Sequence, residues 1–131
     1  MRNVFLAILF AVPTACASAD ELYDRCMDAS DSSNPGFAFC GGEWVARADT
    51  KLNEVWKELY SNAKENIKKD LLAEQRLWNA YKEQSCDIFR KGNWGREGEV
   101  IHFPVCRAIV IEARIKQLED YIYDKQRYCL R

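Results

Sequence analysis

Few side chains of this 131-residue chain are suited to chemistry: six cysteines, one histidine, and a glycine-rich run with a tryptophan among charges. A thiol serves as nucleophile or metal ligand when ionised, and as a staple when oxidised. No two of the cysteines form a C-x-x-C pair, and His102 alone accompanies them, so the spacing of a zinc site is missing. His102 stands between Ile101 and Phe103 at a loop-to-helix junction, a place that suits capping or exposure better than general acid–base work. The sequence contains no Gly-x-Ser-x-Gly elbow, His-Glu-x-x-His pair or phosphate loop. No catalytic residue, metal or cofactor is therefore assigned, and the expectation is a binding protein rather than an enzyme.

What the cysteines do depends on the compartment. Met1-Arg2-Asn3 is a short positive start, Val4 to Val12 is an unbroken apolar run, and Pro13 ends it. Ala17-Ser18-Ala19 then supplies the small-x-small pattern of a signal peptidase site, so residues 1–19 read as a secretory signal cleaved after Ala19. The apolar run is well short of the ~20 residues that cross a bilayer as a helix. Thr14-Ala15-Cys16 faintly resembles a lipid-attachment site, but Pro13 stands where that site has leucine, which favours cleavage over a lipid on Cys16. Residues 20–131 remain as one domain, periplasmic or secreted, with five cysteines. In a small exported domain these read as a disulfide framework.

Removing Arg2 takes the formal charge from −1 to −2, with both signs mixed along the chain, so there is no electrostatic argument for nucleic acid.

The elements that must position these residues are helices. Asp20 to Ala29 forms a short first one. Asn34-Pro35 reads as an N-cap and first helical position, but Gly41-Gly42 should loosen the residues after them, placing the main start near Glu43. Val45, Ala48, Leu52, Val55 and Leu59 then fall at steps of three and four, widened by Trp44 and Trp56. Ser61 to Asn66 connects to a third helix with Ile67, Leu71, Trp78, Tyr81 and Ile88 on its inner face, ended by Gly92. Gly92 to Phe103 reads as a loop. Pro104 opens the last helix, with Val105, Ala108, Ile111, Ile115, Leu118 and Ile122 as its stripe. No long segment alternates with period two. The fold class is all-α, a small antiparallel bundle of three main helices plus a short N-terminal one, stapled by two disulfides.

An up-down-up order gathers Cys40, Cys86 and Cys106 at one pole, where Cys26 can join them. The pairs Cys26–Cys40 and Cys86–Cys106 would each close a local loop, with the other two pairings left open by the sequence. Cys129 lies roughly 35 Å further along the last helix, beyond the ~7 Å that a disulfide allows. It is expected as a free thiol or as the link of a disulfide-bonded homodimer.

The chain resembles the LprI-type lysozyme inhibitor domain of exported bacterial proteins. The resemblance rests on Cys26 and Cys40, then Ala48-Asp49 with Leu52-Asn53, then Ala73-Glu74-Gln75-Arg76-Leu77-Trp78. Tyr81, Cys86, Cys106, Arg114 and Leu118 complete it, over roughly residues 23–122. It implies a helical, surface or periplasmic domain, and a protein partner that is a lysozyme or another peptidoglycan-active enzyme. Cys129 lies outside the pattern, and Lys82 after the tyrosine is a point charge where a bidentate arginine would make a forked pair.

Asp49, Gln75, Arg76, Trp78 and Arg114 read as a structural motif, with Trp78 in the core and Arg76 or Arg114 paired to Asp49 across helices. Lys91, Trp94 and Arg96 are the candidate partner-binding residues. Trp94 is off the helical stripes, flanked by glycines, and tethered by the proposed Cys86–Cys106 bridge. Tryptophan and arginine dominate binding energies, and a preorganised loop loses less entropy on binding. A lysozyme cleft carries two carboxylates for which Arg96 or Lys91 could compete, while Trp94 could fill a sugar subsite. The alternative functions are an immunity-type protein against a secreted toxin and a structural envelope protein without an enzyme target.

Overall fold

The computed structural model describes residues 20–128, with side chains placed through Asp124. The leader with Cys16, and Cys129 with its expected role, lie outside the described residues. Helix α1 (Glu21–Ala29) starts at Asp20, whose side chain accepts from the Tyr23 backbone N–H at 2.8 Å. The same carboxylate oxygen accepts from Arg47 at 2.8 Å, so the cap also ties α1 to the second helix. Helix α2 (Asn34–Ser61) begins with Ser33 capping the Gly36 N–H.

Helix α2 runs through Gly41-Gly42 without a break, contrary to the start expected near Glu43. The reason is packing. A Cβ on Gly41 would stand 2.6 Å from Pro104, so the glycine lets the start of α2 lie directly on the start of the last helix. The buried side of α2 is then Cys40, Trp44, Ala48, Leu52, Val55 and Leu59, spaced by threes and fours. Buried Trp44 donates its indole N–H to Glu112 at 2.7 Å, which removes the cost of hiding a donor.

Helix α3 (Glu65–Gln84) returns antiparallel to α2, and α6 (Phe103–Tyr128) runs up again. Helices α2 and α6 share the main core, in which Ala48, Leu52, Val55 and Leu59 meet Ile111, Ile115 and Leu118. Leu71 is the contribution of α3, with Trp78 packed half-buried beside it. Ile67, Tyr81 and Ile88, expected on the inner face, are exposed. The apolar period of that segment therefore marked its inner face at Leu71 and Trp78 but not at Ile67, Tyr81 and Ile88, because part of the α3–α6 contact is polar.

Between α3 and α6 the chain turns sharply. Cys86 takes a left-handed conformation (φ 69°) and ends the helix expected to run to Gly92. A short α4 (Asp87–Lys91) follows, then a single turn α5 (Gly95–Glu97) and a π-helical turn over Gly98–His102. The stretch expected as a loop is thus largely helical. The pairs Cys26–Cys40 and Cys86–Cys106 form as the topology suggested, with Cα atoms 5.6 and 5.9 Å apart.

Candidate functional site

The segment from α4 to the π turn is built around one tryptophan. Asp87, in the first turn of α4, accepts from Arg90 and from Lys91, each at 2.5 Å. The hydrogen bonds from Lys91, then from Arg90, hold the Asp87 carboxyl below the usual carboxylate range. Gly92 closes α4 by donating its N–H to the Ile88 carbonyl at 2.8 Å. A Cβ on Gly92 would stand 2.4 Å from that oxygen and 3.2 Å from Trp94 Cδ1. A Cβ on Gly98 would stand 2.3 Å from both the Phe89 carbonyl oxygen and Trp94 Cβ. The two glycines thus let the chain close tightly on both sides of Trp94.

The Trp94 ring meets Phe89 edge-on at 5.3 Å and His102 edge-on at 5.2 Å, and those two rings lie 5.5 Å from each other. Three rings in mutual contact fix the indole in a geometry that aromatic quadrupoles favour. Even so, Trp94 is 49% exposed. It neither folds flat as a lid nor projects freely; it is braced with about half its surface in solvent. His102 also faces Glu97, Nε2 to Oε1 at 3.3 Å; where capping or exposure was expected, it braces the tryptophan. Beneath this corner, Arg90 and Arg107 both lie over the Phe103 ring, at 4.3 and 5.0 Å.

Lys91 and Arg96 lie in the same corner, but each is held by a carboxylate of its own turn, Lys91 by Asp87 and Arg96 by Glu99 at 2.6 Å. Such exposed pairs are weak, so they orient the cations without locking them. Ile88, 67% exposed, is an apolar side chain on the same short α4. Phe89, Asp87, His102 and Gly98 were not singled out from sequence as supports of Trp94. The available signal was the spacing of Gly92, Gly95 and Gly98 around one tryptophan.

The structural motif assembles differently from its expected form. Arg114 is 2% exposed and donates Nε and Nη2 to Gln75 Oε1 at 3.1 and 2.8 Å. Its Nη1 reaches Glu74 and Gln117, each at 2.5 Å, and the guanidinium lies over Trp78 at 5.8 Å. Tyr121 closes the network by donating to Glu74 at 3.1 Å. Asp49 pairs with Lys82, at 3.9 Å, and with neither arginine. Arg76 is exposed on the far side of α3 and takes no part. The turn of the helix decides this: residues 74, 75 and 78 share the side facing α6, and residue 76 does not.

Away from both sites, Leu59, Ala63, Ile67, Leu71 and Tyr121 line an apolar groove of about 470 Å³ at the pole opposite the disulfides. All four cysteines among the described residues are oxidised, so none of them offers a thiol. No helix among the described residues is long and apolar enough to cross a membrane.

A family model described as lysozyme inhibitor LprI matches residues 26–118, which takes in both disulfides, Arg114 with Glu74, Gln75 and Gln117, and the Trp94 corner. No curated protein matches the chain, and no solved structure does.

Proposed function

This chain belongs to the LprI lysozyme inhibitor family, and we propose that it is exported and blocks a peptidoglycan-cleaving muramidase by stoichiometric binding. The observation that carries this reading is the family match across nearly the whole disulfide-stapled bundle. Two disulfides fit an oxidising compartment outside the cytoplasm, where such an enzyme would be met. The leader at residues 1–19, cleaved after Ala19, is the proposed route of export.

The contact we assign is the Trp94 corner. An inhibitor of a cleft enzyme needs a convex element that keeps its shape when unbound, because ordering a loop at the moment of binding opposes association. Trp94 is braced by two rings and closed in by two glycines, and half of it is available to a partner. The indole would occupy a sugar subsite. Arg96 and Lys91 would exchange their local carboxylates for those of the cleft.

The test is a titration of purified, oxidised protein into chicken-type, goose-type and invertebrate-type lysozymes, read by cell-wall lysis. Saturable inhibition of at least one type near molar equivalence is expected. Full activity of every type at large molar excess would remove the reading and direct the search to another envelope partner, such as a secreted toxin.

A further inference from the structure

Helix α3 has two faces. Leu71, Gln75, Trp78 and Lys82 turn toward the rest of the molecule. Ala73, Leu77, Ala80 and Gln84 follow one another at steps of four, three and four, the spacing of a coiled-coil seam, and all four are exposed. Leu77 is 73% exposed, and Tyr81 at the edge of the seam is 59% exposed. An exposed leucine flanked by two alanines at this spacing gives a face on which a second helix can pack closely.

We propose that this face packs against the same face of a second copy of the chain, with the two α3 helices antiparallel about a twofold axis. Size and charge select that occupant. With the axis between residues 78 and 79, Leu77 falls opposite Ala80 of the second copy, and Ala73 opposite its Gln84. Large meets small at each level, which lets the helices approach closely. In a parallel pair Leu77 would meet itself and the alanines would face each other across a gap.

The flanking positions agree. Arg76 falls beside Glu83 of the second copy, and the symmetry repeats the pair. Arg76 has no ion-pair partner among the described residues. Glu83 is exposed, and its contacts to Lys82 and Arg107 are loose, at 3.9 and 3.7 Å. Glu74 falls beside Tyr81 of the second copy on the other edge. The seam is short and buries less than a standard interface, so the dimer dissociates on dilution. This inference is independent of the lysozyme reading.

Sedimentation equilibrium of the full chain carrying Cys129→Ser, which removes any thiol cross-link, tests it. A reversible monomer–dimer equilibrium is expected. Arg76→Glu should weaken it about tenfold or more, adding Glu83→Arg should restore it, and Leu77→Lys should abolish it. All these positions are exposed, and circular dichroism checks that the fold persists. Monomer at every concentration overturns the proposal. So does a dimer that ignores both Leu77→Lys and the charge reversal.

Discussion

Arg114 takes the place that apolar side chains hold elsewhere in the bundle. Helix α3 brings only Leu71 to full burial, and the guanidinium of Arg114 fills the space beside Trp78 while satisfying Gln75, Glu74 and Gln117. Arg114→Ala is expected to lower stability by about 2–4 kcal/mol, through lost packing and the stranded Gln75 acceptor. Glu74→Ala takes the carboxylate from a buried guanidinium and should cost about 1–3 kcal/mol, less than the loss of Arg114 itself because Gln75 and Gln117 still accept from it. Urea denaturation of both variants measures the difference, and equal small effects would show the network to be idle. Asp87 carries a pH prediction. Its folded pKa is depressed, so its pairing stabilises the fold above the ordinary carboxylate value of ~3.9 and is lost as pH falls through the lower folded value. Asp87→Asn should therefore be less stable than the parent near neutrality and converge with it in acid, as read from urea midpoints across that range.

At the scale of elements, tight chain approaches decide what the helices do. Gly98→Ala introduces a Cβ where Phe89 and Trp94 already stand, and is expected to cost about 1–3 kcal/mol. It should also weaken any lysozyme inhibition although Trp94 itself is kept, which a combined denaturation and inhibition series would show. Breaking the Cys86–Cys106 bridge with paired serines should cost about 3 kcal/mol in the same denaturation assay, since it frees a loop of 20 residues. The α6 stripe could be read from sequence because Ala108, Ile111, Ile115 and Leu118 are all buried, and burial of apolar groups is what periodicity reports. The inner face of α3 could be read only at Leu71 and Trp78, because glutamine, arginine and glutamate make part of its contact with α6. Gly41-Gly42 looked like a break for a related reason. Glycine weakens an isolated helix, but here Pro104 leaves no room for a Cβ. The Cys86 kink and the π turn leave no periodic signature at all.

The whole molecule separates its stable and its presented parts. Both disulfides sit at the pole where α2 and α6 begin and α3 ends, and the Trp94 corner is built beside that staple. Lys91, Trp94 and Arg96 could be singled out from sequence by residue type, although the stretch expected there as a loop is largely helical. Their bracing by Phe89 and His102 was not, since ring contacts depend on backbone turns that spacing does not encode. The small net charge of the chain gives no long-range steering, so the proposed recognition at this corner would rest on short-range shape and surface. The most direct test is the affinity for a lysozyme that the protein inhibits, compared among the parent, Trp94→Ala and Arg96→Ala. The account predicts that Trp94→Ala weakens binding by about 30-fold or more, as loss of a central anchor does, and Arg96→Ala by about fivefold or less. Unchanged affinity of a folded Trp94→Ala protein would place the inhibitory surface elsewhere on the bundle.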